Sequence, residues 1–192
     1  VEALLWGCVG FGVLYIFDFN KVKKIHPWFN SLFSVGVALL VFSTVTIYFN
    51  KNSEFIVPIY FKIIFLVFAF ISACIMFYAL FGALPFNSTY VSGQGNQVID
   101  TGLYALCRHP GVWGFFFTYL FLFLASGKLM MLYATVLWTF MDIIHVWVQD
   151  RYFFPKTLIG YSEYQKTTPF LLFNKESFRR FRTTLIKGEQ SK

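Results

Sequence analysis

Charge is scarce in this chain. Only 13% of its 192 residues are charged, and just nine of them are acidic. A water-soluble globule of this size needs far more polar surface, so a soluble domain is excluded. Cysteine is scarce too: Cys8, Cys74 and Cys107 are too few and too scattered for a disulfide framework. His26, His109 and His145 combine with them at no familiar ligand spacing, so no metal site is expected. The sequence contains no internal repeat and no separate soluble domain.

What the chain has instead is apolar and aromatic: 57% of residues are hydrophobic and 27 are Phe. The apolar runs cover about 3–17, 29–49, 56–84, 111–125 and 129–148. Roughly 20 helical residues cross a bilayer, so the runs predict an all-α, polytopic membrane helix bundle of about five transmembrane helices. The first run has neither a basic leader nor a small-residue cleavage site, and reads as a membrane helix rather than a signal peptide.

The distribution of charge predicts orientation. Lys21, Lys23 and Lys24 crowd the first loop, and most other cations follow Asp150, whereas the opposite loops hold only Lys51 and Lys128. This bias places the first loop and the C-terminus in the cytoplasm and the N-terminus outside. Residues 1–174 form the membrane domain and 175–192 a basic cytoplasmic tail. In that tail Arg179, Arg180 and Arg182 stand beside Phe178 and Phe181, a pattern suited to anionic lipid and not to nucleic acid.

Against this apolar background Arg108-His109-Pro110 stands out at the mouth of the fourth run, preceded by Gly102 and Tyr104 and followed by Gly114. Charge at the mouth of a membrane helix is costly and marks a site. A second polar segment, Gln149-Asp150-Arg151, is followed by Tyr161, Tyr164 and Thr168-Pro169. With five spans, both segments fall on the cytoplasmic face. Asp142, His145, Gln149 and Tyr152 lie three, four and three residues apart, so they share one helix face turned toward other helices or a cavity.

Together these groups suit a zwitterion. Arg108 can hold a carboxylate in a two-pronged pair, Asp150 can accept from an ammonium or a ribose hydroxyl, and His109 can donate or accept. Nearby aromatic rings can face a sulfonium cation. S-adenosylmethionine has all of these features; a nicotinamide dinucleotide has fewer, its phosphates suiting Arg108 and Arg151. Plainer readings exist for each residue. Arg108 can be a positive-inside anchor and Pro110 a first-turn proline. Asp142 and His145 can pair across helices, and Lys62 can snorkel to the interface.

The pattern of Gly102, Tyr104, Arg108, His109, Pro110 and Gly114, then Asp150 and Arg151, then Tyr161, Tyr164 and Pro169, resembles the isoprenylcysteine carboxyl methyltransferase and phospholipid methyltransferase superfamily. The likeness covers about the C-terminal half. It implies a multi-spanning enzyme that binds S-adenosylmethionine at the cytoplasmic face and admits a lipophilic or lipidated methyl acceptor from the bilayer. Cofactor-binding roles then fall to Tyr104, Arg108, His109, Pro110, Gly114, Gln149, Asp150 and Tyr161. Catalytic roles fall to Arg151, Tyr164 and His145, with the C-terminal segment closing the site and no metal required.

Two positions depart from the pattern. Gln149 replaces the first acid of the superfamily's acidic-acidic-Arg triplet, and Val112 stands where Tyr is common. Gly111-Val112-Trp113-Gly114-Phe115 is similar instead to a related bacterial membrane family linked to nitrogen-oxide metabolism. Two alternatives therefore stay open. One is an NADPH-dependent reductase of sterol-like double bonds, which usually has more spans. The other is a non-catalytic or haem-binding relative with His109 and His145 as axial ligands. Neither the methyl acceptor nor the oligomeric state is legible in the sequence.

Overall fold

The computed structural model describes residues 1–51, 53–82 and 96–190. The polar, Gly-, Asn- and Ser-containing stretch 85–101 between the third and fourth apolar runs lies largely outside the described residues. The described residues are predominantly helical, and four helices are long and apolar enough to cross a membrane: Glu2–Lys23, Pro27–Phe49, Ile59–Phe81 and Leu129–Thr157. The fourth apolar run forms a shorter helix, Pro110–Ser126, of 17 residues. At a rise of ~1.5 Å per residue it spans about 26 Å, a little less than a typical hydrocarbon core. Its ends explain its length: Pro110 occupies the first turn, where a missing N–H costs nothing, and Gly127 closes it with φ +66°.

Helix α1 (Glu2–Lys23) turns Gly7, Gly10, Phe11, Leu14, Phe17 and Asp18 inward at three- and four-residue spacing. Helix α2 (Leu32–Phe49), entered through a 3-10 turn at Pro27–Ser31, packs Gly36 and Leu40 against it. A Cβ on Gly36 would lie 2.9 Å from the Gly10 carbonyl oxygen, so the two backbones meet where side chains are absent. Helix α3 (Ile59–Phe77) buries only Ala69 and Ser72 and presents Phe61, Ile64, Phe68 and Ile71 outward. So much exposed apolar surface on one helix fits lipid and not water.

A short helix, α4 (Leu103–Leu106), leads into α5 (Pro110–Ser126), and α6 (Leu129–Val148) follows. The core lies between α1, α2, α5 and α6. Fully buried Trp138 is its largest side chain, seated on Gly7 and edge-on to Tyr119, and its indole donates to the Leu4 carbonyl at 3.2 Å. At the far end, buried Lys128 donates its ammonium to the carbonyls of Ile47, Tyr48 and Asn50, closing the C-terminus of α2.

Beyond Val148 the helix widens into a π-helical turn, Gln149–Phe153, then α7 (Phe154–Thr157). Strand β1 (Asn96–Gln97) pairs in parallel with β2 (Leu158–Ile159), tying the chain before α4 to the chain before α8 (Tyr161–Thr167). The segment expected as a basic tail forms helix α9 (Lys175–Gln190), which is packed on α4. Its Ser177 is fully buried, and Thr184 Oγ1 accepts from the Gly102 N–H at 3.2 Å.

Candidate functional site

Arg108 lies in a bend just after α4, and its backbone N–H donates to the Pro169 carbonyl at 2.9 Å. Its guanidinium meets Asp150 in two parallel bonds, Nε to Oδ1 at 2.7 Å and the second amino nitrogen to Oδ2 at 3.0 Å. The remaining amino group donates to the carbonyls of Gln165 (3.0 Å) and Thr168 (2.7 Å). Four of the five guanidinium N–H groups are thereby used. The two segments that stood 42 residues apart in sequence converge on one ion pair.

Asp150 receives more than Arg108. The Tyr161 hydroxyl donates to Oδ1 at 2.6 Å, Gln165 Nε2 donates to Oδ2 at 3.1 Å, and His109 Nε2 lies 3.2 Å from Oδ1. Gln149 and Asp150, neighbours at the start of the π-helical turn, point in different directions: Gln149 donates to Asp18 on α1 at 2.6 Å while Asp150 faces Arg108. Such turns are rare and recur at functional sites.

A cavity of about 110 Å³ lies beside this cluster. Tyr104, Arg108, His109, Gln149, Tyr161 and Tyr164 supply its polar side. Met76, Ala79, Val112, Phe115 and Val146 supply the apolar side, and Asp142 lines it from α6. Tyr104 is pinned by its hydroxyl to the Ala79 carbonyl (2.7 Å), and Tyr164 by its hydroxyl to the Tyr104 carbonyl (2.7 Å).

Burial sets the protonation of these groups. Removal from water holds His109 below the usual imidazole range, despite the opposing pull of Asp150, so the ring stays neutral. Burial pushes the Cys107 thiol up to about 11, which makes it a poor nucleophile. Burial also raises Tyr161 and Tyr164, and for Tyr161 the bond to Asp150 adds to the effect.

Several expected site residues lie elsewhere. Gly114 does not line the cavity: a Cβ there would lie 2.8 Å from the Met76 backbone nitrogen, so the glycine lets α5 cross α3. Arg151 is exposed and outside the cavity lining. His145 is buried but turned to α1, with Nε2 2.6 Å from Asp18 Oδ2. Tyr152 is half exposed, because the π-helical turn breaks the register it would need to share a face with Asp142. Pro110 lines the cavity as the first residue of α5. The two candidate axial histidines both direct Nε2 at a carboxylate.

Sequence reasoning missed Asp18, which binds His145 and Gln149 together, and the carbonyls of Gln165 and Thr168. Asp18 had a signal: an acid at the end of an apolar run. The carbonyls had none, since backbone groups carry no sequence label. Comparisons with protein-family models, curated proteins and solved structures found no match to this chain.

Proposed function

We propose that this protein is an S-adenosylmethionine-dependent membrane methyltransferase acting on a lipophilic acceptor at the cavity beside Arg108 and Asp150. In this reading Pro110–Ser126 completes five crossings. The N-terminus lies outside, the cavity opens near the cytoplasmic face, and the C-terminal segment from Tyr161 closes it. The observation that carries the proposal is the convergence of Arg-His-Pro with Asp150, Tyr161 and Tyr164 around one hollow whose other wall is apolar.

The donor set fits the cofactor's cationic end better than its carboxylate, because Arg108 keeps only one N–H free after its four bonds. Tyr104, His109 and Gln149 are the polar groups that would hold it; the Arg108–Asp150 pair instead braces the wall. The cofactor supplies an activated methyl group on sulfur. The chain contributes alignment and exclusion of water: neutral His109 wedged between Phe154 and Phe170, and an apolar wall from α3, α5 and α6. No proton or metal chemistry is demanded of Arg151 or His145, which lie outside the cavity lining.

Calorimetric titration of S-adenosylmethionine into the detergent-purified protein tests this reading, alongside NADPH as a competitor. Saturable binding of the sulfonium cofactor is expected, together with transfer of labelled methyl to a component of a membrane lipid extract. Gly111→Leu provides the control: the nearest atom to an added Cβ is Ala79 Cβ at 3.8 Å, so a side chain fits there and fills the hollow. It should abolish binding while the helices stay folded. Binding of NADPH alone would favour the reductase.

A further inference from the structure

Asp142 is the one carboxylate on the cavity lining, and among the described residues it has no hydrogen bond or ion pair. The charged and phenolic groups around it are committed elsewhere; the Thr139 hydroxyl, one turn back on α6, is buried and makes no hydrogen bond among the described residues. His145, one turn away, is bonded to Asp18. Tyr15 on α1 donates to the Met141 carbonyl at 3.1 Å, and Tyr119 on α5 pairs with Thr44 at 2.7 Å. Arg108 is spent on Asp150 and two carbonyls. The other two inward aspartates show the contrast: Asp18 holds two partners and Asp150 four.

An ionised carboxylate beside the apolar wall of a cavity, without a partner, is costly unless it takes up a proton or an opposite charge arrives. Asp142 also sits deep. Eight residues separate it from Asp150, about 12 Å at the helical rise. We propose that Asp142 is the anionic subsite of the cavity and selects a lipophilic amine that carries no anion beside its nitrogen. An acceptor carboxylate or thiolate would be repelled there. A zwitterionic phospholipid head would have to bring its phosphate close to Asp142 along with its ammonium, like charge against like. A simple long-chain or polycyclic amine meets neither obstacle, because its ammonium faces Asp142 and its tail follows the wall of Met76, Val112 and Phe115.

The methyl-transfer meaning of this subsite rests on the reading above. An ammonium has no free lone pair; were its proton to pass to an Asp142 carboxylate oxygen, the neutral amine's lone pair could form the N–CH3 bond as the sulfonium donor's S–CH3 bond broke, the bonding pair staying on sulfur as a neutral thioether and the product leaving as the methylated ammonium. The binding claim stands apart from that step.

The test uses the full chain in detergent and measures binding of dodecylamine, dodecanoate and a short-chain phosphatidylethanolamine by calorimetry, with S-adenosylmethionine titrated separately. Unmodified protein should prefer the amine to both others. Asp142→Asn should weaken amine binding about tenfold or more, and Asp142→Glu, which keeps the charge, should retain it. Cofactor affinity should not move, and the unfolding midpoint of Asp142→Asn should not fall. Equal binding of dodecanoate or the phospholipid overturns the proposal, as does undiminished amine binding by Asp142→Asn. A loss that falls on cofactor binding instead also overturns it, by assigning Asp142 to the donor. Amine selection without any cofactor binding sustains Asp142 and refutes methyl transfer. If Asp142→Asn does not fold, the ligand series on unmodified protein still decides.

Discussion

Removing the Asp150 carboxylate should cost far more than one hydrogen bond. The Arg108 and Asp150 side chains are only 12% and 9% exposed, so the pair is shielded from water. Asp150→Asn keeps the shape but strips the charge, leaving the guanidinium facing an amide and two carbonyls. Breaking one side of a buried pair typically costs ~3–5 kcal/mol, mostly as the penalty of the charge left behind. Arg108→Met imposes the mirror penalty on Asp150, softened by Tyr161, His109 and Gln165.

The double variant removes both charges, so its cost should fall well short of the sum, with a coupling of at least ~1.5 kcal/mol. Helix loss followed by circular dichroism during denaturing-detergent titration supplies all four corners of the cycle. Additive costs, or single costs under ~1 kcal/mol, would refute the view that this pair braces the site.

Other outcomes follow from individual contacts. Gly114→Ala should destabilise by ~1–3 kcal/mol in the same titration, because its Cβ meets Met76 backbone at 2.8 Å and neither helix can retreat cheaply. Lys128→Met should cost ~1–3 kcal/mol by stranding the last carbonyls of α2, and Lys128→Arg should restore part of it. Stability should also fall in mild acid. His109 is held below its ordinary value, so from about pH 6.5 downward the unfolded chain binds the proton first. The loss should level off once the folded ring protonates as well, and thermal unfolding of His109→Gln should show a flatter profile.

The apolar runs and their polar breaks made the membrane helices legible, because lipid demands long uninterrupted helices wherever the chain crosses. The same economy made Arg108, Asp150 and Asp142 conspicuous, since charge in such a chain is rare enough to notice. Spacing along one helix, however, assumes an unbroken 3.6-residue period. The π-helical turn at Gln149–Phe153 removed Tyr152 from the face it should have shared. Gly114 looked like part of a motif, but only the crossing of α5 over Met76 gives its use as backbone clearance. Sequence alone determined that this is a membrane helix protein with a few inward charges, for hydropathy and charge are properties of each residue. Tertiary structure alone decided which charges neutralise one another and which, like Asp142, remain unanswered, because pairing depends on distances between segments that no local pattern encodes.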